Sequence, residues 1–510
     1  MWRWRFCAVF LLLKRDLVMP RDSSRLASRV RELLRSHPAQ AAARDDVRPL
    51  DERDVPASTG PHELRYVPDD ERPPAVEAAT GCVVIERHYD LVLQHGRQPV
   101  HHYAEAIEGC LPSLAVLAAD QRAAGVLPRA KTRHLDFDHR SRLADDRKRP
   151  GVPTKGPLLF FDLETTGLSG GAGTVAFLVG CGYFDAEGFH TRQYFLAGYE
   201  AEHELLVSLA ALTGQFGGLV TFNGASFDVP LVDTRYLFHR LESPFGSLPH
   251  FDMLHPARRL WRRRDAGTIT ARDPWSAGAS RSEWASCALG SLEQAILGIV
   301  RFDDVPGAEI PSRYFHYLRT GDLEPLNAVF EHNRLDLLSL AALTALAMRM
   351  VDEGPEAIPT PHEALALGQV YERIGRASQA EACFARAAGL GGAPWDSRAV
   401  EPEIRTDALR RLALHRRRHH RFADAAHAWH AVLETGAAQD VTQEARRALA
   451  IHHEHRVKDL EAALHFATHA LGAEQDPAQA AALRHRIARL ERKLEPARNR
   501  LKDGGEEAPR

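Results

Sequence analysis

Asp162 and Glu164 stand one residue apart at the end of the apolar run Leu158-Leu-Phe-Phe161. Such a run is the pattern of a strand buried on both faces, and strand alternation puts both carboxylates on the same side. Neighbouring acids raise each other's pKa, so two ionised carboxylates there need a cation between them. Two later stretches supply further ligands. Asn223-Gly-Ala-Ser-Phe-Asp228 leaves a buried strand and enters a helix carrying Leu231, Val232, Tyr236 and Leu237, so Asp228 projects from the first turn. In Phe330-Glu-His-Asn-Arg-Leu-Asp336, His332 and Asp336 are four apart and share one helix face. Taken singly, Glu164 reads as a turn cap, Asp162 as an exposed acid, Asp228 as an N-cap and His332 as a surface residue. Taken together and in order, they describe one site.

The elements that must position these residues alternate between strand and helix. Strands are predicted at 174–179 and 193–196, a helix over Glu202–Leu212, a buried strand over 218–222, and a helix after Asp322. The glycine-rich Ser169-Gly-Gly-Ala-Gly173 lacks the Gly-Lys-Ser/Thr ending of a phosphate-binding loop and lies between strands, so it reads as a hairpin turn. Upstream, Val83–Ile85 and Tyr89–Leu93 read as paired strands and Ile107–Leu117 as a helix. Residues 1–80 read as a leader with a dispensable start before Met19, a short amphipathic helix from Ser24 with a solvated basic face, and a linker. Residues 81–154 read as an extension that packs on the next domain and ends in a charged linker. Residues 155–353 form the α/β domain, 360–494 a helical repeat domain and 495–510 a disordered tail. In the repeat region Leu367, Gly368, Tyr371, Gly375, Ala380, Phe384 and Ala387 fall at tetratricopeptide spacing, with weaker copies around Trp429 and Phe466. The histidines from His415 to His430 read as a solvated helical face.

With 510 residues the chain is too long for one core. Lys plus Arg (65) and Asp plus Glu (68) give a net charge of -3, so nucleic-acid affinity must come from a local patch. The strongest such patch is Arg258-Arg-Leu-Trp-Arg-Arg-Arg264, where Arg258, Arg259 and Trp261 suit a phosphate backbone with a stacked base. A helix with Leu260 and Trp261 in the core and solvated arginines accounts for the same residues. The Gly/Ala/Ser-rich stretch 265–282 reads as a loop near the site. Six scattered cysteines without a Cys-x-x-Cys pair argue against a zinc ribbon or a disulfide framework, and a cytoplasmic location fits. The N-terminal apolar run Phe6–Leu13 is too short to span a bilayer, so no membrane partner is expected.

Asp162 with Glu164 in a strand ending Glu-Thr-Thr-Gly167, Asn223-Gly-x-x-Phe-Asp228, and a His before a last helical Asp resemble the signatures of the DEDD exonuclease superfamily. Phe161-Asp-Leu-Glu-Thr-Thr-Gly-Leu-Ser-Gly-Gly171, His255-Pro-Ala-Arg-Arg-Leu-Trp261, Ile310-Pro and Phe330–Asp336 are similar to its YprB-type branch, which often carries tetratricopeptide repeats. The resemblance covers roughly residues 80 to 350. It implies an α/β ribonuclease H-like mixed sheet flanked by helices, followed by all-α tetratricopeptide-like repeats. It further implies that Asp162, Glu164, Asp228 and Asp336 bind two divalent cations, Mg2+ or Mn2+, with His332 where the general base stands. The histidine type of the superfamily places its base five residues before the final Asp, whereas His332 precedes Asp336 by four. The expected activity is 3′–5′ hydrolysis of single-stranded DNA or RNA to nucleoside 5′-monophosphates. Thr165, Thr166, Gly167, Asn223 and Phe227 are candidates for contact with the terminal nucleotide, and the repeats for a protein partner. The alternative is a non-catalytic scaffold that binds nucleic acid or protein with the same fold.

Overall fold

The computed structural model describes residues 82–123, 156–167, 173–262, 287–302, 304–390, 392, 395, 400–472 and 474–503. The leader, the Ser24 helix and its linker, most of the glycine-rich loop and the 265–282 stretch lie outside the described residues.

A six-stranded mixed sheet is built from β1 (Cys82–Asp90), β4 (Leu158–Thr165), β5 (Ala176–Phe184), β6 (Gly188–Leu196), β7 (Gly218–Thr221) and β8 (His250–Asp252). Its order is β1-β6-β5-β4-β7-β8; β4, β7 and β8 run parallel, while the β1, β6 and β5 pairings are antiparallel. A two-stranded ladder, β2 (Gln94–His95) with β3 (Gln98–Pro99), follows β1. Leu158, Leu159, Phe160 and Phe161 are each at most 2% exposed, which confirms a strand covered on both faces.

Two differences from the sequence reading have a physical cause. Val83–Ile85 and Tyr89–Leu93 do not pair with each other; β1 is one edge strand that pairs along its length with β6. An edge strand is only partly covered, so the polar Glu86-Arg87-His88 between the buried Ile85 and Tyr89 does not interrupt it. Strand β5 runs on through Gly180-Cys-Gly182, past the predicted end at Val179, because a helix crosses closely above those glycines.

Helices cover both faces. On one lie α3 (Glu202–Thr213), α4 (Asp228–Phe238) and α7 (Ile310–Thr320), which bury Leu205, Leu231 and Tyr314 against Leu159, Phe161 and Leu163. On the other lie α1 (Val100–Gly109), α2 (Leu111–Ala123), α5 (Leu254–Leu260), α6 (Leu289–Leu292) and the 30-residue α8 (Glu324–Glu353). Every residue of α8 from Leu337 to Ala345 is buried, the pattern of a helix enclosed on all sides.

The remainder is helical: α9 (Pro361–Arg373), α10 (Ala377–Ala387), α11 (Pro402–Arg418), α12 (Phe422–Leu433), α13 (Gln439–His452), α14 (Leu460–Leu471) and α15 (Pro477–Asp503). Consecutive helices pack as hairpins. A methyl group at Gly368 would come within 2.7 Å of the Phe384 ring, so α9 and α10 cross there only with a hydrogen in that place. His415 is buried, with its ring near Phe384, and does not belong to a solvated face. Helix α15 continues to Asp503, beyond the tail boundary expected at 495. Among the described residues no helix is long and apolar enough to cross a membrane.

Candidate active site

Strand β4 delivers Asp162 and Glu164 to the face that α8 covers, because they share the alternation of Phe160, which packs with Leu337 in that layer. Asp228 opens α4 directly after β7, the parallel neighbour of β4, and Asp336 sits one turn after His332 on α8. Asn333, between them, fixes the rod to the strand: its amide donates to Asp162 Oδ2 at 2.8 Å and accepts from Gln193 at 2.8 Å. Gly180 faces Asp162 across β4 and β5, and a Cβ there would lie 2.3 Å from the Asn333 oxygen.

The acids feel one another. Burial, then the charge of Asp336, pushes Asp162 up to about 7. Burial and the charge of Asp162 hold both Glu164 and Asp228 well above the carboxylate range. Three raised acids among oxygen donors form a cluster with too little positive charge of its own, and hard divalent cations are matched to that donor set. By charge and donor type, Asp162, Glu164, Asp228 and Asp336 suit the divalent cations that the fold implies.

Sequence reasoning missed three charged residues, Asp304, Arg301 and Glu293, around His332. Its Nδ1 lies 2.6 Å from Asp304 Oδ1, and Nε2 lies 3.7 Å from Asp336 Oδ2. Asp304 is held ionised: burial opposes this, but the hydrogen bond and charge of His332 and the Arg301 guanidinium outweigh it. A carboxylate only accepts, so Nδ1 carries the proton and Nε2 faces the acids. Burial would lower the His332 pKa, yet the Asp304 hydrogen bond and the charges of Asp336 and Glu164 raise it to about 9. Arg301 bridges Asp336 and the buried Glu293, which belongs to a π-type turn after α6. Asp304 and Arg301 come from an irregular connection with no periodicity; the one available signal was an Arg-x-x-Asp charge pair just before Pro306.

The RNase_H superfamily profile matches residues 159–348. Over 190 residues the chain is 36% identical to the uncharacterized protein YprB of Bacillus subtilis (strain 168), which covers 37% of this chain and 41% of that protein. The chain carries a YprB-type RNase H-like domain. The match spans less than half the length of that relative.

In this YprB-type domain the other residues singled out in the sequence have varied placements. Thr165 is buried and its hydroxyl donates to the Gly167 carbonyl, while the Thr166 hydroxyl accepts from Val175 N–H, so both shape the turn after β4. Asn223 is exposed in the left-handed region (φ 67°), its N–H donating to Asp252, and Phe227 is half-buried at the start of α4. Arg258 is exposed. Trp261 is buried and its indole N–H donates to Glu363 of α9, and Arg259 is paired with the buried Asp120 of α2. Trp261 offers no face for stacking a base; burying an indole beside a partner for its N–H is the cheaper use of it.

Proposed function

We propose that the domain is a metal-dependent 3′–5′ exonuclease acting on single-stranded DNA or RNA, with the repeats engaging a protein partner. The observation that carries the reading is the cluster of the raised acids Asp162, Glu164 and Asp228 with Asp336, whose Oδ2 faces Nε2 of a histidine whose other nitrogen is fixed by Asp304. In this reading Asp162, Glu164, Asp228 and Asp336 hold two Mg2+ or Mn2+ ions, whose chemistry is to activate water and stabilise the leaving 3′ oxygen. His332 Nε2 takes the proton of the attacking water, and Asp304 keeps the ring turned toward it. At about 9 the imidazole is protonated at neutral pH in the cation-free chain. Neutralising Asp336 and Glu164 removes two causes of that shift and returns the ring toward the range where it works as a base. Thr166, Gly167, Asn223 and Phe227 line the approach of the terminal nucleotide, with Arg258 a more distant phosphate contact.

One observation favours the scaffold reading: Arg301 already sits on Asp336, as a fixed counter-charge would in a site that no longer takes a cation. The deciding experiment is degradation of labelled single-stranded DNA and RNA with Mg2+ or Mn2+. Asp162→Ala should lower the rate by about three orders of magnitude, and His332→Ala by about two to four. Equal rates for wild type and Asp162→Ala would leave only the scaffold.

A further inference from the structure

We propose that His88, His190 and Glu187 form a second cation site, for one borderline transition-metal ion of the zinc class, at the end of the sheet opposite the carboxylate cluster. One donor atom from each of the three lies within 4.8 Å of the others. Strand β5 runs antiparallel to β4, with Gly182 opposite Phe160, so the turn into β6 leaves the sheet where β4 begins, away from Asp162 and Glu164. This site is independent of the nuclease reading.

Its construction is that of a metal-binding imidazole pair. His88 and His190 are direct partners in the β1/β6 register, with ring centroids 4.4 Å apart. One nitrogen of each ring lies beside a carboxylate: His88 Nδ1 is 3.3 Å from Asp90 Oδ1, and His190 Nε2 is 2.7 Å from Asp185 Oδ2. That leaves His88 Nε2 and His190 Nδ1 as donors, each backed by an acid on the far side of its ring, the arrangement that orients imidazole toward a metal. Asp185 is itself fixed by the turn, accepting from the N–H groups of Glu187 and Gly188 at 2.8 and 3.1 Å. The His190 ring is stacked on Tyr183, and Gly188 has no side chain to crowd His88 Nε2.

Two nitrogens and one carboxylate oxygen select zinc-class ions over magnesium, the reverse of the all-oxygen cluster. Tetrahedral donors with bonds of about 2.1 Å sit about 3.4 Å apart. Binding draws the three groups together from their separations of up to 4.8 Å, and the Glu187 side chain that takes part is exposed. A water completes the shell. The bound ion ties the edge strand β1 to the β5–β6 hairpin.

The test is Zn2+ and Co2+ binding to the full chain with excess Mg2+ present to occupy the carboxylate cluster. The expected result is a single equivalent that Mg2+ does not displace, visible cobalt absorption from nitrogen and oxygen ligands, and hydrogen exchange in residues 82–90 slowed about tenfold. Both the His88→Gln and Glu187→Gln variants, exposed positions where the fold is retained, should weaken that equivalent at least about tenfold while leaving metal-free hydrogen exchange unchanged. Binding by wild type that survives in His88→Gln and in a His88→Ala/His190→Ala double variant would overturn the proposal. So would the absence of any Mg2+-resistant equivalent.

Discussion

Asp162 is the residue whose behaviour in the cation-free chain is easiest to measure. Its folded pKa is raised to about 7 from an ordinary value near 4, so the folded chain holds a proton that the unfolded chain releases. The resulting stability is fully present below about pH 4 and is lost as pH rises through about 7. Glu164 and Asp228, raised by burial and by Asp162, act in the same direction. The cation-free chain should become less stable between pH 4 and 8, and Asp162→Asn should stabilise it at pH 8 by about 1–2 kcal/mol, read from denaturant unfolding in a chelator. A wild type more stable than the variant under those conditions would mean that the cluster carries no such repulsion. The acids themselves were legible because each sits on a short motif whose period places it: two on a strand end, one on a first helical turn, one at a four-residue helical interval. Asp304 and Arg301 were not, since they reach the site from a connection without periodicity, nor was Glu293, which lies on a short helical turn and meets the site only through Arg301. Asn333 lay inside a motif already singled out, but its role depends on which strand passes beneath it, and the register of β5 is not written in the motif.

At the scale of elements, the site is the contact between α8 and the β4–β5 pair. Asn333 lies over Gly180 and Leu337 over Gly182, so the rod rests on backbone where β5 carries no side chains. Gly180→Ala places a methyl group where the Asn333 amide now bonds Asp162. Its expected effect is a loss of activity of about tenfold or more with little change in helix content, because displacement of a positioning group by an ångström is costly. Full activity in Gly180→Ala would show that the Asn333 contact is dispensable. The same close approach explains why β5 outran its predicted end at Val179: the two glycines that follow mark the passage of a helix. The buried Trp261 shows the converse ambiguity. An aromatic among arginines has the same sequence pattern whether it faces a nucleic acid or a neighbouring helix, and only the arrival of Glu363 on α9 decides it.

At the scale of the molecule, the sheet and the first repeats share one apolar core, running from Phe160 and Val220 through Leu343 to Leu367, Leu412 and Trp429. Asp120 on α2, which is 2% exposed, joins three elements by accepting from Arg259 of α5 and Arg373 of α9. Asp120→Ala removes the shared acceptor and leaves two guanidiniums facing each other. It should lower the stability of the whole chain by about 2–3 kcal/mol, seen as a lower denaturant midpoint. An unchanged midpoint would show that the joint is held by apolar packing alone.

The enclosure of α8 bears on how the carboxylates are kept together. Asp162 and Glu164 travel with the sheet, whereas Asp336 and His332 travel with a rod whose far end, around Met348 and about 18 Å along the axis from Asp336, lies in the layer that also holds α9. The gap between the two pairs of ligands is thus a clearance between two machine parts, shimmed by Asn333 and Leu337. A load applied to the repeats along that axis would be read at the acids as a change of aperture.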